Sequence, residues 1–177
     1  RQLELALGKE AFKEGIQTFI KRYSNSNSDW NGLVSILDQK TDLDLKQWSD
    51  VWVNSTGRPV FSEQITYDEN QNISQFNLMQ EAEDGTTKIW PQAFEIDLVY
   101  ADHIQKIAVV SNRKKIELPE AIGLKKPKTI IYNSNGFGYG VFPTNKKNLE
   151  VSFELKSEVS KAHIYLNTYE NLLLGNG

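Results

Sequence analysis

Residues 60–80 read VFSEQITYDENQNISQFNLMQ, and this stretch decides the fold. Two runs whose apolar residues recur with a period of about two, 60–67 and 73–80, flank the polar segment Asp68-Glu69-Asn70-Gln71-Asn72. Such alternation is typical of a half-buried strand, and segments rich in Asp and Asn are typical of turns. The stretch therefore predicts a β-hairpin.

The period of two continues toward the C-terminus, with turn residues such as Glu83-Asp84-Gly85-Thr86 between the runs. Eight short strands separated by turn signals are typical of an antiparallel β-sandwich. Besides the two runs of the hairpin, the predicted strands are Ala93 to Tyr100, Gln105 to Val110, Lys115 to Leu118, Thr129 to Tyr132, Tyr139 to Phe142 and Leu149 to Leu155.

The residues before the hairpin have helical periodicity instead. Apolar side chains at Phe12, Ile16, Phe19, Ile20 and Tyr23 fall on one side of a helix that we expect from about Lys9 to Tyr23. Two further short amphipathic helices are expected, one capped by Ser28 or Asp29 and carrying Trp30, Leu33, Val34 and Leu37, the other beginning near Asp44 and carrying Leu45, Trp48, Val51 and Trp52.

Helical spacing returns after Ser157, where Val159, Ala162, Tyr165, Leu166 and Tyr169 are spaced for one face of a helix. The predicted fold is thus mainly β with flanking helices: N-terminal short helices, then an antiparallel β-sandwich and a C-terminal helix. We expect three parts, 1–57, 58–157 and 158–177. We also expect both ends to be cut from a longer protein, because Arg1 starts within a helical pattern without a cap.

Composition narrows the chemistry that this chain can perform. The 177 residues contain 20 Lys and Arg against 23 Asp and Glu, for a net charge of −3, and the basic residues are scattered. This pattern does not indicate a nucleic acid as the partner. The absence of Cys excludes disulfides, thiolate nucleophiles and Cys-ligated zinc, and it is compatible with reducing and oxidising compartments alike. No apolar run reaches the roughly 20 residues that span a bilayer.

The two histidines, His103 and His163, do not lie in a zinc-ligand spacing. His103 follows Tyr100-Ala101-Asp102 in a predicted interstrand turn, so we expect a solvent-facing imidazole. We expect His163, on the last helix, to have a structural role. A zinc site built from this chain alone is therefore not predicted.

Asp68, Asn70 and Asn72 occupy positions one, three and five of a calcium-loop pattern. Position six is Ile73 where that loop needs Gly, and position twelve is Met79 where it needs the bidentate Glu. The segment is therefore interpreted as a hairpin turn.

Three glycines, Gly136, Gly138 and Gly140, resemble a phosphate-binding loop in their spacing. The third glycine of a dinucleotide fingerprint would fall at Val141, and Pro143 disfavours a helix there. Without a helix N-terminus such a loop loses its dipole and most of its donors. A tight turn or bulge is the better interpretation.

The order of features along the chain resembles that of the aminopeptidase N-like zinc peptidases. The segments that carry the resemblance are Leu3 to Gln17 with its Phe12-Lys13-Glu14-Gly15, Ser28-Asp29-Trp30-Asn31-Gly32-Leu33, Trp48-Ser49-Asp50-Val51-Trp52 followed by Gly57-Arg58-Pro59-Val60, Asn133-Ser134-Asn135-Gly136-Phe137-Gly138-Tyr139, and Ala162 to Tyr169. In that family these segments run from the end of the catalytic domain through a small β-sandwich into the C-terminal helical domain. Departures at Gly140 and Ser160-Lys161 predict a divergent, bacterial member.

The resemblance implies a zinc ion held by a His-Glu-x-x-His helix and a later Glu, a Gly-x-Met-Glu-Asn strand that anchors the substrate amine, and a catalytic Tyr. None of these motifs occurs between Arg1 and Gly177. We therefore predict no catalytic, cofactor-binding or metal-binding residue in this chain. Zinc and the peptide substrate are expected only in the full-length parent, and the compartment, cytoplasmic or periplasmic, stays open.

Two classes of function remain from the sequence, and in the first class it stays open whether the parent keeps its zinc ligands. In the first, the chain is a non-catalytic linking segment of a zinc aminopeptidase, and its partners are the remaining domains of the same polypeptide. Its helix faces bearing Phe12, Phe19, Trp30, Trp48 and Trp52 are then expected to bury against another domain. In the alternative, it is a free-standing β-sandwich that binds carbohydrate or protein through exposed aromatic residues, for which Trp90, Phe137 and Tyr139 are the candidates.

Overall fold

The structure is a computed structural model, and it describes residues 1–175. The chain divides into two compact units, of which the first is Arg1–Thr56 and the second begins at Gly57. The predicted division at residues 57 and 157 into three separate domains stays a prediction.

The first unit contains four helices: α1 Gln2–Leu7, α2 Lys9–Tyr23, α3 Trp30–Asp38 and α4 Leu45–Trp52. Asp29 and Asp44 begin α3 and α4, because each carboxylate accepts a hydrogen bond from a backbone N–H of the first turn, from Gly32 and Gln47 respectively, both at 2.9 Å. These bonds satisfy donors that a helix start otherwise leaves unpaired. The helical predictions for this region are confirmed.

The core of the first unit is built from side chains of its own helices. Trp48 is buried and stacks on Trp52 with ring centroids 5.5 Å apart, while the Trp30 indole N–H donates to Ser49 Oγ at 2.6 Å. The expectation that the helix faces bearing Phe12, Phe19, Trp30, Trp48 and Trp52 bury against another domain stays a prediction, because of these five side chains only Trp48 is buried within the unit. The full cluster is Val34, Leu37, Leu45 and Trp48, surrounded by the partly buried Leu3, Leu7, Phe12, Trp30, Leu33 and Trp52.

The second unit contains two antiparallel sheets of three strands each, with sheet orders β1-β2-β5 and β4-β3-β6. The strands are β1 Pro59–Tyr67, β2 Ile73–Ala82, β3 Gln92–Val99, β4 Ile104–Ser111, β5 Lys115–Glu117 and β6 Thr129–Tyr132. A 3-10 turn, Pro119–Ala121, precedes β6, and the helices α5 Lys146–Ser152 and α6 Glu158–Leu173 follow it. The predicted fold class is confirmed.

Both sheets contribute side chains to one shared core. At its centre the Phe61 ring stacks on Phe142 at 4.6 Å, and the Phe94 ring meets Phe142 edge-on at 5.0 Å. Such offset and edge-to-face pairs add stabilisation beyond the area that they bury. The buried members of this core are Phe61, Ile73, Phe76, Leu78, Phe94, Ile96, Leu98, Ile107, Val109, Ile116, Leu118, Ala121, Ile130, Tyr132 and Phe142.

The predicted strand from Leu149 to Leu155 is wrong, because residues 146–152 form α5. Asn145 caps this helix: its side chain accepts from the backbone N–H groups of Lys147 and Asn148, and the Asn148 side chain accepts from the Asn145 N–H. This reciprocal capping box stabilises a helix start. Leu149 and Val151 then pack against buried residues of β6 and α6.

The predicted strand from Tyr139 to Phe142 is reduced to one bridge, between Val141 and Val60. The backbone here runs close to β1: the Val141 N–H donates to the Pro59 carbonyl at 2.9 Å, and the Phe61 N–H donates to the Val141 carbonyl at 2.8 Å. Gly140 has φ 128°, and a Cβ at this position would lie 2.5 Å from the Pro59 carbonyl oxygen. The close approach therefore requires glycine and interrupts regular pairing.

Candidate interaction surface

Helix α6 packs on the sandwich through a largely polar face. Its buried residues are Ser160, Ile164 and Asn167. Ser160 Oγ donates to the Ser134 carbonyl at 2.9 Å, and Asn167 Oδ1 accepts from the Phe142 N–H at 3.4 Å. These side chains satisfy backbone groups of the loop between β6 and α5, which would be costly to bury unpaired.

The apolar face of α6 points away from the sandwich. Leu166, for example, is 50% exposed, and it belongs to the series whose spacing places it on one face of the helix. Successive residues of a helix are rotated by about 100°, so residues three, four and seven apart share a face. We call the exposed set Val159, Ala162, Tyr165, Leu166, Tyr169 and Leu173 the α6 outer face.

An ion pair network holds α6 in this orientation. Arg58, just before β1, donates from Nη2 and Nε to the two carboxylate oxygens of Glu83, at 2.8 and 3.1 Å, and from Nη1 to Glu170 of α6 at 2.6 Å. The Glu83 hydrogen bond, followed by the Glu170 hydrogen bond and the charges of both, raises the pKa of Arg58, while burial opposes the rise. Bidentate Arg–carboxylate pairs are geometrically specific as well as strong.

Exposed apolar surface of this kind indicates a contact. Soluble monomers rarely expose contiguous apolar patches larger than a few hundred Å², and larger ones usually mark interaction sites. On α6 most of the apolar side chains are exposed, whereas Ser160 and Asn167 are buried beside Ile164. Sequence spacing predicted the apolar stripe of the helix; the polar stripe Ser160, Asn167 and Asn171, which the prediction did not use, was the available signal for its orientation.

The two histidines lie in unrelated surroundings. His103 is exposed, as predicted, with Nδ1 2.8 Å from Asp102 Oδ1 and its ring stacked on Tyr100 at 4.6 Å. His163 is half-buried on α6, where its Nδ1 lies 3.4 Å from Asn133 Nδ2 and desolvation lowers its pKa. Within residues 1–175, no group of three or more His, Cys, Asp or Glu side chains is placed to hold a metal ion.

The two loops that resemble ligand-binding motifs use their polar groups internally. The Asp68 carboxylate accepts from the N–H groups of Asn70 and Asn72 at 2.9 and 2.7 Å and from the Asn72 amide at 2.8 Å. These bonds, led by the one from the Asn72 backbone, lower the pKa of Asp68. The hairpin turn is confirmed. At the glycine-rich loop, the Gly138 N–H donates to Asn133 Oδ1 at 2.7 Å, which consumes a donor that a phosphate would need.

The aromatic residues proposed for a free-standing binding module do not form one exposed group. Trp90 is buried, and its backbone N–H donates to Gln80 Oε1. Tyr139 is exposed, and its hydroxyl donates to the Gly57 carbonyl at 3.2 Å. No observation therefore favours the binding-module alternative.

Two known proteins are similar to this chain in sequence. The chain is 26% identical over 167 residues to "Aminopeptidase N" of Streptomyces lividans, which covers 87% of this chain and 19% of that protein. It is 29% identical over 75 residues to "Glutamyl aminopeptidase" of Bos taurus, which covers 42% of this chain and 7% of that protein. No family model matches the chain.

The chain is thus an aminopeptidase-related segment. It spans about a fifth of the length of the Streptomyces relative. None of the helices in the described residues has the length and apolar character needed to cross a membrane.

Proposed function

We propose that this chain is a non-catalytic linking segment of a zinc-dependent aminopeptidase, which in its full-length form removes N-terminal residues from peptides. The observation that carries the proposal is the extent of the similarity, which covers 87% of this chain but only 19% of an aminopeptidase N. The chain then corresponds to one internal part of a larger enzyme.

The residues of this chain do not fit a zinc site of their own. His103 sits in an exposed turn against Asp102, and His163 sits half-buried on α6 beside Asn133. Zinc sites in peptidases need three protein ligands around one ion, with an open fourth position for water. In this proposal the ion and its ligands belong to other parts of the parent.

The α6 outer face is the surface through which we propose that the second unit contacts a remaining domain of the same polypeptide. The Arg58–Glu170 pair and the polar contacts of Ser160 and Asn167 hold the helix so that Leu166 and Tyr169 project outward. Burying such side chains stabilises a contact by about 25 cal/mol per Å² of apolar area. Domain placement decides which substrates reach an enclosed site.

The test is made in the full-length parent with the double variant Leu166→Asp and Tyr169→Asp. Two carboxylates on the outer face oppose burial, so the parent should melt at a lower temperature and hydrolyse an aminoacyl p-nitroanilide more slowly, with its zinc content unchanged. The matched control is Ile122→Asp, which places a carboxylate at a side chain 48% exposed, close to the 50% of Leu166. The docking role fails if the double variant behaves like this control.

A second measurement tests the non-catalytic assignment. The 177-residue chain, mixed with equimolar zinc, should release no p-nitroaniline from an aminoacyl anilide. Stoichiometric tight binding of zinc together with hydrolysis would contradict the assignment.

A further inference from the structure

A cleft opens along one seam of the sandwich, between β1 and β6. Both strands lie at the edges of their sheets, and the segment from Pro143 to Lys147 also lines the cleft. Its volume is about 400 Å³. This size falls within the range of about 300–1,000 Å³ that is typical of sites for small molecules. We call it the seam cleft.

Apolar and aromatic side chains form part of the lining of the seam cleft. They include Ile65 and Tyr67 of β1, Ile130 of β6, and Pro127 and Pro143, and we call them the apolar floor. Apolar and aromatic walls of this kind accept the ring or hydrocarbon part of a ligand.

The rim of the seam cleft is strongly basic. Lys126 and Lys128 lie at the entry to β6, and Lys146 and Lys147 lie in the first turn of α5. Within residues 1–175, no ion pair is found for any of these four side chains, whereas Lys106, Lys114 and Lys161 each pair with a carboxylate. The Lys126 ammonium lies 4.8 Å from the centroid of the Tyr67 ring. Four cations around one opening attract an anion.

Among the described residues that line the cleft, Glu63 is the one carboxylate. It accepts a hydrogen bond from the Tyr132 hydroxyl, which ties β1 to β6 across the seam. Desolvation raises the pKa of Glu63, because the surrounding side chains restrict the water around it. With Glu63 ionised, four lysines and one carboxylate leave a formal charge of +3 around the cleft.

We propose that the seam cleft binds a small organic anion that carries at least two negative charges and an apolar group. The anionic groups contact the lysine rim, and the apolar group lies against Ile65, Ile130 and the two prolines. Nucleotide phosphates and aromatic dicarboxylates share this chemistry. The inference rests on the cleft alone and does not depend on the proposed aminopeptidase role.

Titration calorimetry of the full chain at low ionic strength tests the proposal with four probes. Adenosine triphosphate and isophthalate represent the two sources of the anion, tripolyphosphate carries charge without a ring, and adenosine carries a ring without charge. We expect adenosine triphosphate or isophthalate to bind, tripolyphosphate to bind more weakly and adenosine not to bind. Added salt should weaken the binding, because it screens exposed charges.

Variants locate the site. The double variant Lys128→Ala and Lys147→Ala removes one lysine at the entry to β6 and one in the first turn of α5. It should weaken binding by roughly tenfold through the lost electrostatic attraction. The control, Lys114→Ala and Lys115→Ala, removes the same charge from lysines outside the cleft that pair with Glu81 and Glu117, and it should bind like the original chain. Glu63→Gln keeps a hydrogen-bond acceptor for Tyr132 but removes the opposing charge, and it should bind more tightly.

Three results would overturn the proposal. The first is that neither adenosine triphosphate nor isophthalate binds. The second is that the rim variant binds as tightly as the control, which would place the anion elsewhere. The third is that tripolyphosphate binds as tightly as the better of the two ring-bearing anions, which would show that the apolar floor does not contribute to binding. All four lysines are exposed, so circular dichroism should show an unchanged fold in the rim variant.

Discussion

The two units of this chain reach stability in different ways. The sandwich shares 15 buried side chains between two sheets, so most of its core residues have neighbours on several strands. The core cluster of the helical unit has four buried residues, and six partly buried ones surround them. Small units bury a smaller fraction of their surface, so each core position carries more of the total. The stability of the large core therefore depends on packing volume, whereas the stability of the thin core depends on single contacts and on helix caps.

The largest effect is expected at the centre of the sandwich, in Phe142→Ala. Phe142 is 1% exposed and contacts the rings of Phe61 and Phe94, so truncation leaves a cavity. Loss of a buried Phe costs about 3–5 kcal/mol. Urea unfolding measures this loss, and hydrogen exchange should show weaker protection in strands of the second unit only.

The control for that variant is Phe153→Ala, since Phe153 is 82% exposed and its removal should change the unfolding free energy little. If Phe142→Ala lowers protection equally in helices α1 to α4, the two units do not have separate cores and the comparison fails.

A smaller effect is expected in the helical unit, in Gly15→Ala. A Cβ at Gly15 of α2 would clash with Leu37 Cδ2, and Leu37 is fully buried in the thin core, which gives it little room to move. Overpacking of this kind costs about 1–3 kcal/mol, and it opposes the gain of about 1 kcal/mol in helix propensity. We expect net destabilisation, measured by urea unfolding.

Gln17→Ala, on the exposed side of the same helix, adds no Cβ near Leu37 and only the small gain in helix propensity from Gln to Ala. A Gly15→Ala protein more stable than the original would show that Leu37 relaxes freely, and the thin core would then be less restrictive than the comparison requires.

The next effect sharpens the dependence on caps. Asp29→Ala removes the acceptor that holds the Gly32 N–H at the start of α3, and an N-cap of this type contributes about 1 kcal/mol. The free energy of unfolding should fall by about that amount. Asp42→Ala removes an exposed carboxylate from the loop before α4 and should have almost no effect. Equal losses in the two variants would point to charge, not capping, as the cause.

The smallest effect is a pH dependence in the second unit. The Asp84 carboxylate accepts from the Thr86 hydroxyl and contacts Lys88, and these interactions, the Thr86 bond first, lower the pKa of Asp84 to about 2 from a value of 3.8. A lowered pKa stabilises the fold above the unfolded-state value, and this contribution is lost as pH falls through the folded-state value. Asp84 is exposed, so the contribution is small.

The measurement compares the original chain with Asp84→Asn. The two chains should differ in urea midpoint at neutral pH. This difference should shrink as the pH falls from 3.8 to about 2. A difference that stays constant over this range would mean that the Asp84 charge does not stabilise the turn.

Much of the fold followed from local patterns. The hairpin from Pro59 to Ala82 was predictable because alternating residues and an Asp-Asn turn act over short distances. The helix from Lys9 to Tyr23 was predictable from a periodic stripe. The segment from Leu149 to Leu155 misled the prediction, because its apolar residues alternate as in a strand. The capping box at Asn145 and Asn148 instead stabilises the start of a helix at this position.

The candidate surfaces were less accessible to sequence reasoning. The apolar stripe of α6 was visible in the sequence, but a stripe does not say whether it faces the core or solvent. The seam cleft combines residues from 63 to 147, and no motif connects them. Only the meeting of two edge strands brings Glu63 beside Tyr132.

Most of the hydrophobic periodicity, the turns and the helix caps could be predicted from the amino-acid sequence. These features depend on backbone preferences and on neighbours a few residues away. Only the folded structure shows that Trp48 is buried in the core of its own unit, that α6 turns a largely polar side inward, and that four lysines line one cleft. The physical reason is that burial and charge act between groups that are close in space, wherever they lie along the chain.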